Sequence, residues 1–399
     1  MPAFHTLDDL GDLTGKTALV RVDFNVPMDG GRITDDTRLQ VALPTIRDLA
    51  AKGARVALLA HFDRPKGKRV PSMSLAPLAG PLSALLGAPV AFADDCVGEP
   101  AKSTIATLKP GQVVLLENVR FHQGEEANDP GFAAALAQVG DLYVNDAFSA
   151  AHRAHASTEG LAHLLPAYAG RSMQRELVAL DLALGAPKRP VVGIVGGSKV
   201  STKLDLLQNL VARLDTLAIG GGMANTFLYA MGHSVGESLC EKDLADTARD
   251  IIAEARRKSC EILLPVDVVC ADALAPGVAT ANRELSEVLP TDKIFDAGPK
   301  SAARLNAAID LAHTVIWNGP LGVFEIPPFD AATVAVARHT AQRVKIGGLI
   351  AVAGGGDTVA ALHAAGVTND FSFVSTAGGA FLEWMEGKAL PGVEALRPR

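Results

Sequence analysis

The sequence lacks the marks of secreted, membrane-spanning and nucleic-acid-binding chains. Its 399 residues include only four cysteines, Cys96, Cys240, Cys260 and Cys270, with no CxxC pair. So few cannot form a disulfide framework, which predicts a reducing, cytoplasmic setting. The opening stretch MPAFHTLDDLGDL is mildly acidic and has no apolar core, so no secretory leader is expected. No apolar run approaches the roughly 20 residues of a membrane helix. Positive charge is not in excess: 37 Lys and Arg face 44 Asp and Glu, giving a net charge of −7. That argues against a nucleic-acid partner and requires any anion site to be built from a local basic cluster. Short repeats and low-complexity tracts are absent. So are two nucleotide fingerprints. GGSKVSTK at 196–203 does not fit the Walker A spacing, and no GxGxxG is followed by an acid at dinucleotide-binding distance.

What is present is an alternation of short apolar runs and longer amphipathic stretches. The expected strands of the first half are Thr17–Val22, Arg55–Ala60, Pro89–Phe92, Val113–Leu116 and Leu142–Val144. Those of the second half are Val191–Val195, Leu217–Ile219, Ile262–Val269, Thr314–Trp317, Leu349–Ala353 and Phe371–Val374. Helix-like segments such as Asp36–Lys52, Lys203–Leu214 and Leu244–Lys258 lie between them. The alternation predicts an α/β protein of two doubly wound, Rossmann-like parallel-sheet domains. Nearly continuous apolar strands fit sheets buried on both faces. Met173, Leu177, Leu180 and Leu184 follow helical spacing, and Gly185, Pro187 and Pro190 end that helix. The boundary is therefore expected at 171–190, as an inter-domain linker helix and hinge.

Four runs of the second half end in glycine-rich turns, within VVGIVGGSKVSTK, LAIGGGMANTF, VIWNGPLGVFE and IAVAGGGDTVA. Glycines past strand ends let backbone N–H groups approach phosphate. Lys199 and Lys203, four residues apart, are expected to share a helix face and reach one phosphate chain. Asp357 follows the fourth turn, where a carboxylate can hold Mg²⁺ against phosphate oxygens. The first half carries its basic residues beside strand ends. RVDFNVP offers Asp23 and Asn25, ITDDTR offers Arg38, and HFDRPKGK offers His61 and Arg64. LLENVRFHQGEE offers Arg120 and His122, and NDAFSAAHRAHAS offers His152, Arg153 and His155. Arginine forks suit a small acid bearing both phosphate and carboxylate. Zinc at the histidine cluster is disfavoured, because no cysteine or third histidine lies at ligand spacing.

At these residues the chain resembles the phosphoglycerate kinase family along nearly its whole length. RVDFNVP, ITDDTR, LLENVRFHQGEE, NDAFSAAHRAHAS, GGGMANTF, WNGPLGVFE and GGGDT stand in that family's order. The resemblance implies a monomer with a central cleft between two domains. It implies reversible phosphoryl transfer from 1,3-bisphosphoglycerate to ADP, with Mg²⁺, giving 3-phosphoglycerate and ATP. It implies a phosphoglycerate-binding domain over 1–170, with 385–399 packing back on it, and a nucleotide-binding domain over 191–384. By the match, Asp23, Asn25, Arg38, His61, Arg64, Arg120 and Arg153 bind phosphoglycerate. Lys199, Lys203, Gly220, Asn318, Glu325, Gly354, Gly355, Gly356, Asp357 and Thr358 bind nucleotide and metal. Arg38 and Lys203 are the expected catalytic pair, reaching the transferring group from opposite domains. Three places depart from the family pattern: Asp63 stands where glycine is usual, Ser198 and Thr202 flank Lys199, and Ala377 and Phe381 alter a triple-glycine turn. Open alternatives are a kinase for another phosphorylated carboxylate, a non-catalytic binding protein and, more distantly, a dehydrogenase.

Overall fold

A computed structural model describes residues 4–398. The chain divides into two compact units. One runs to Val178 and takes in the C-terminal segment from Ala389; the other is Ala179–Lys388.

The first unit is built on a six-stranded parallel sheet. Its strands are β1 (Thr17–Arg21), β2 (Arg55–Leu59), β3 (Val90–Ala93), β4 (Val113–Leu116), β5 (Leu142–Asn145) and β6 (Ala167–Ala169), in the order β3-β4-β2-β1-β5-β6. Every residue of β1, β4 and β5 is buried, which is why these strands read as unbroken apolar runs. Helix α1 (Thr37–Ala51) lays Leu39, Leu43, Ile46 and Leu49 on the sheet at helical spacing. Truncating such a fully buried side chain, Ile46→Ala for instance, costs about 2–5 kcal/mol. Helix α2 (Gly98–Thr107) follows β3, and α3 (Arg171–Leu180) follows β6. Asp146 opens α3 by accepting from the N–H groups of Ser172 and Met173.

The second unit has a six-stranded parallel sheet and a small antiparallel one. Its strands are β7 (Val191–Val195), β8 (Thr216–Ile219), β9 (Glu261–Leu263), β10 (Asp267–Ala271), β11 (Ala281–Glu284), β12 (Lys293–Ala297), β13 (Thr314–Asn318), β14 (Ile350–Gly354) and β15 (Phe373–Ser375). The large sheet runs β9-β8-β7-β13-β14-β15 and the small one β11-β10-β12. Its helices include α4 (Leu204–Val211), α5 (Gly221–Ala230), α6 (Pro299–Leu311), α7 (Ala331–Ile346), α8 (Gly356–Ala364) and α9 (Gly379–Met385). Trp317, 1% exposed, anchors the core with Val336, Leu305 and Phe371.

Two sequence expectations change here. Ile262–Val269 is not one strand: Pro265 has no N–H for a ladder, so β9 ends at Leu263 and β10 starts in the other sheet. Ser301 Oγ takes the N–H groups of Val266 and Asp267 across the break. Lys199 and Lys203 do not share a helix face either. Both flank the single 3₁₀ turn Val200–Thr202, and α4 begins only at Leu204.

Candidate active site

All strands of each large sheet are parallel, so the turns after them collect along one edge. Ligands bind such sheets where the strand order reverses. In the first unit the reversal lies between β1 and β5, and in the second between β7 and β13.

Asp23 and Asn25 follow β1 directly. Asp23 Oδ2 accepts from Arg38 Nη1 at 2.5 Å and from Ser149 Oγ at 2.6 Å. The carboxylate thus fixes an arginine from the first turn of α1 to the turn after β5, beside the reversal. Asn25 Oδ1 accepts from Asp63 N at 2.9 Å, and the Asp63 carbonyl accepts from Arg120 Nη1 at 2.8 Å. Asp63 has φ +54°, a left-handed conformation that glycine adopts freely and aspartate tolerates better than most residues. This accounts for the usual glycine. Both of these bonds use the backbone of Asp63, so its carboxylate is incidental to them.

Beneath these groups lies a buried charged chain that sequence reasoning missed. Arg21, the last residue of β1, is 1% exposed. Its Nε donates to Ser157 Oγ at 2.8 Å, its Nη1 to the Val22 carbonyl at 2.5 Å, and its Nη2 lies 2.9 Å from His61 Nδ1. A guanidinium can only donate, so His61 Nδ1 accepts and the neutral ring carries its proton on Nε2. Ser157 in turn donates its Oγ–H (2.5 Å) and N–H (2.9 Å) to the fully buried Glu125. Burial, then the charges of Arg21, Arg120 and Arg153, hold His61 well below the ordinary histidine range. Burial, then Arg120, Arg21 and Arg153, hold His155 at about 4. Burial also lowers Arg120 and raises Glu125, the latter opposed by Arg21. Arg120, Arg153, His61 and His155 therefore form one electrostatic cluster. Arg153 also donates from Nε to His152 Nε2 at 3.1 Å, and Arg64 is exposed. The signal for Arg21 was present, a charge ending the apolar run TALVR, but a strand-end arginine reads as exposed.

In the second unit the four glycine turns interlock. A Cβ on Gly196 would lie 1.8 Å from the Pro320 carbonyl oxygen, and one on Gly221 (φ +67°) 2.6 Å from the Gly197 oxygen. No other residue allows backbones this close. Lys203 Nζ donates to the Gly196 carbonyl at 2.7 Å and to Asn318 Oδ1 at 2.6 Å, with the Asn318 carbonyl at 3.2 Å. Asn318 Nδ2 donates to the Gly354 carbonyl at 2.9 Å, and Thr358 Oγ1 accepts from Gly319 N at 2.7 Å. Lys203 is thus held by carbonyl and amide dipoles. Burial lowers it to about 8, opposed only by the charge of Asp357. Asp357 is exposed in the first turn of α8, after Gly355 and Gly356. Lys199 is exposed.

Next to this nest lies a cavity of about 460 Å³, walled by Gly197, Gly221, Gly222, Leu239, Phe295 and Leu321, with Glu325 and Asp357 also lining it. Gly220 lines a smaller recess that shares Pro265, Ala297 and Leu321 with this cavity. The apolar wall was missed because Leu239 and Phe295 lie outside the glycine turns. The cavity also reaches Asp296, which burial raises to about 8 although it accepts from the N–H groups of Ala297 and Ala332.

The altered turn near 377 is unstrained. The left-handed residue is Gly378 (φ +55°), so alanine fits at 377. Phe381 is fully buried in the second unit, its ring so close to Gly354 that a Cβ there would meet Cδ1 at 2.6 Å.

A family model described as phosphoglycerate kinase matches residues 7–388. A phosphoglycerate kinase of Caulobacter vibrioides is 72% identical over 98% of this chain and 99% of its own. One of Methylobacterium radiotolerans is 63% identical over the full length of both. Among solved structures, a phosphoglycerate kinase from Coxiella burnetii superimposes with a TM-score of 0.93, at 43% identity over 99% of each chain.

Proposed function

The chain belongs to the phosphoglycerate kinase family, and from that premise we propose how its own residues perform the transfer between 1,3-bisphosphoglycerate and ADP. The first unit takes the acid. Arg38, Arg64, Arg120 and Arg153 neutralise its phosphate and carboxyl oxygens, while Asp23 and Asn25 hold the surrounding turns. His61, neutral, donates from Nε2. The second unit takes the nucleotide. Its base enters the apolar cavity, Glu325 faces the ribose, and the phosphates meet Lys199, Lys203, Gly220, Asn318, the 354–356 turn and Thr358. The observation that carries this reading is the Arg120–Arg153–His61–His155 cluster, built from the turns after β2, β4 and β5 of the first sheet.

Phosphoryl transfer passes through a loose transition state, so the protein's work is positioning and charge neutralisation. Arg38 supplies a guanidinium on the acid's side and Lys203 an ammonium on the nucleotide's side. No general base is required, because the attacking carboxylate carries no proton. The exposed Asp357 suits Mg²⁺, which takes one or two carboxylates, phosphate oxygens and water. When bound, the ion would neutralise phosphate charge. The proposal also makes 171–190 the hinge. It takes the protein to be cytoplasmic, in keeping with its four free cysteines, and, by its family, a monomer. Among the described residues no helix is long and apolar enough to cross a membrane.

The test is an assay with 3-phosphoglycerate, ATP and Mg²⁺, coupled to a dehydrogenase that consumes 1,3-bisphosphoglycerate. Arg38→Ala should lose roughly a hundredfold or more in kcat, about 3 kcal/mol, with nucleotide KM nearly unchanged. A variant within about threefold of the parent, under 1 kcal/mol, removes Arg38 from the catalytic role.

A further inference from the structure

A second group of side chains in the first unit has the composition of a transition-metal site. Asp95 and Cys96 form the turn between β3 and α2, and His122 follows the 3₁₀ turn Val119–Phe121 after β4. β3 and β4 pair in parallel from Val90↔Val113 to Ala93↔Leu116, so both turns emerge on the same sheet edge. One oxygen of Asp95, the sulfur of Cys96 and one nitrogen of His122 all lie within 4.8 Å of one another.

We propose that Asp95, Cys96 and His122 bind a thiophilic divalent cation of the Zn²⁺ or Co²⁺ class, with water completing the coordination. The donors are one thiol, which ligates as the thiolate, one imidazole and one carboxylate, a set that suits Zn²⁺-like ions. Their supports are already in place. The His122 ring stacks on Phe132, with centroids 4.8 Å apart and planes at 24°. Asp95 Oδ1 accepts from Cys96 N at 2.7 Å and lies 2.7 Å from His122 Nε2, so the carboxylate is already held beside both other donors. Cys96 is fully buried and forms the floor, while the side chains of Asp95 and His122, 29% and 30% exposed, form an open mouth. A tetrahedral ion with bonds of about 2.0–2.3 Å needs its ligand atoms roughly 3.3–3.8 Å apart. Ligand atoms that all lie within 4.8 Å of one another therefore need shifts of no more than about 1–1.5 Å to reach that geometry. Binding releases the thiol proton of Cys96 to solvent, and the ring proton of His122 sits on the nitrogen that does not ligate, so the neutral imidazole gives its other nitrogen to the ion. Mg²⁺, which prefers oxygen and keeps its waters, does not compete here. The bound ion would tie the 94–97 turn to the segment that carries Arg120.

The experiment titrates Co²⁺ into the full-length, reduced, metal-stripped protein and follows the thiolate-to-cobalt charge-transfer band. One equivalent should bind with that band and be displaced by Zn²⁺ but not by excess Mg²⁺. Cys96→Ser, which keeps Cys240, Cys260 and Cys270, should lose the band. His122→Gln should weaken binding by roughly tenfold or more. No thiolate band in the parent protein, a band that survives Cys96→Ser, or affinity unchanged in His122→Gln would each overturn the proposal. Should Cys96→Ser fail to fold, the parent spectrum and the partly exposed His122 position still decide.

Discussion

The ammonium of Lys203 should be a quantifiable burden on the free protein. The group is largely removed from water and its partners are dipoles, so its pKa drops from 10.5 to about 8. Between those values the unfolded chain binds a proton that the folded protein has released, so stability rises with pH across the window. Below pH 8 both states hold the proton and the cost is constant. Above 10.5 both have lost it and the cost is gone. The interval spans about 2.5 pH units at ~1.4 kcal/mol each, or about 3 kcal/mol. Lys203→Met removes the titrating group at similar volume, so its stability should lack that rise while all other groups cancel in the comparison. Both tryptophans, Trp317 and Trp384, lie in the second unit, so urea unfolding followed by tryptophan fluorescence reports on the right part of the chain. The parent's stability should gain about 3 kcal/mol relative to Lys203→Met between pH 8 and 10.5. Kinetics give a second readout. kcat/KM for nucleotide should fall above pH 8 as the free enzyme loses this charge, whereas kcat should hold to higher pH because bound phosphates stabilise the ammonium. Parallel stability curves for the two proteins would refute the reasoning.

Other perturbations follow from the geometry. Phe381→Ala should destabilise the second unit by about 3–5 kcal/mol, read from its urea midpoint, because the fully buried ring fills the space over Gly354. Asp63→Gly should leave stability within about 1 kcal/mol of the parent and phosphoglycerate KM nearly unchanged, since only backbone groups touch Asn25 and Arg120. Asp63→Val should lower the melting temperature, with a cost of about 1–2 kcal/mol for a β-branched residue at φ +54°. Arg21→Met should cost roughly 3–5 kcal/mol by leaving Glu125 buried without its cation. In that variant ¹⁵N spectra of His61 should show both tautomers, where the parent shows only Nε2–H.

The parallel sheets were legible because strands buried on both faces have no polar alternation to obscure them: TALVR, VVLL and VVGIV are fully covered. What escaped has physical reasons. ANRE and KIFDA, at 281–284 and 293–297, form strands of the small antiparallel sheet with partly exposed faces, so their polar residues mimic loops. Counting four residues from Lys199 to Lys203 assumed a continuous helix, but Lys203 sits at φ −133°, outside the helical region, and only its ammonium turns into the nest. Asp63 read as a departure from a usual glycine, yet its left-handed backbone conformation is what the position selects. Residue type is visible in a sequence; whether a residue acts through its side chain or its backbone is not.

The two proposed binding sites, one in each unit, hold their cations by opposite means, and this bears on how each responds to its ligand. In the first unit three arginines are met by an acid or a carbonyl: Arg38 by Asp23, Arg120 by Glu126 and the Asp63 carbonyl, and Arg21 by the Val22 carbonyl and by Ser157 backed by Glu125. Such groups stay charged without ligand, and their forks are pre-oriented, so the acid meets a site already formed and little of its binding energy goes into ordering it. In the second unit Lys203 has only dipoles and the exposed Asp357 to offset its burial, so much of its stabilisation must arrive with the nucleotide. Phosphate oxygens should restore the favourable charge balance that the free protein lacks, making nucleotide binding take up protons above pH 8. Calorimetry in two buffers of different ionisation enthalpy would register that uptake in the parent and its loss in Lys203→Met. Proton-neutral nucleotide binding at pH 8.5 would instead mean that the dipoles of Gly196 and Asn318 already hold Lys203 charged.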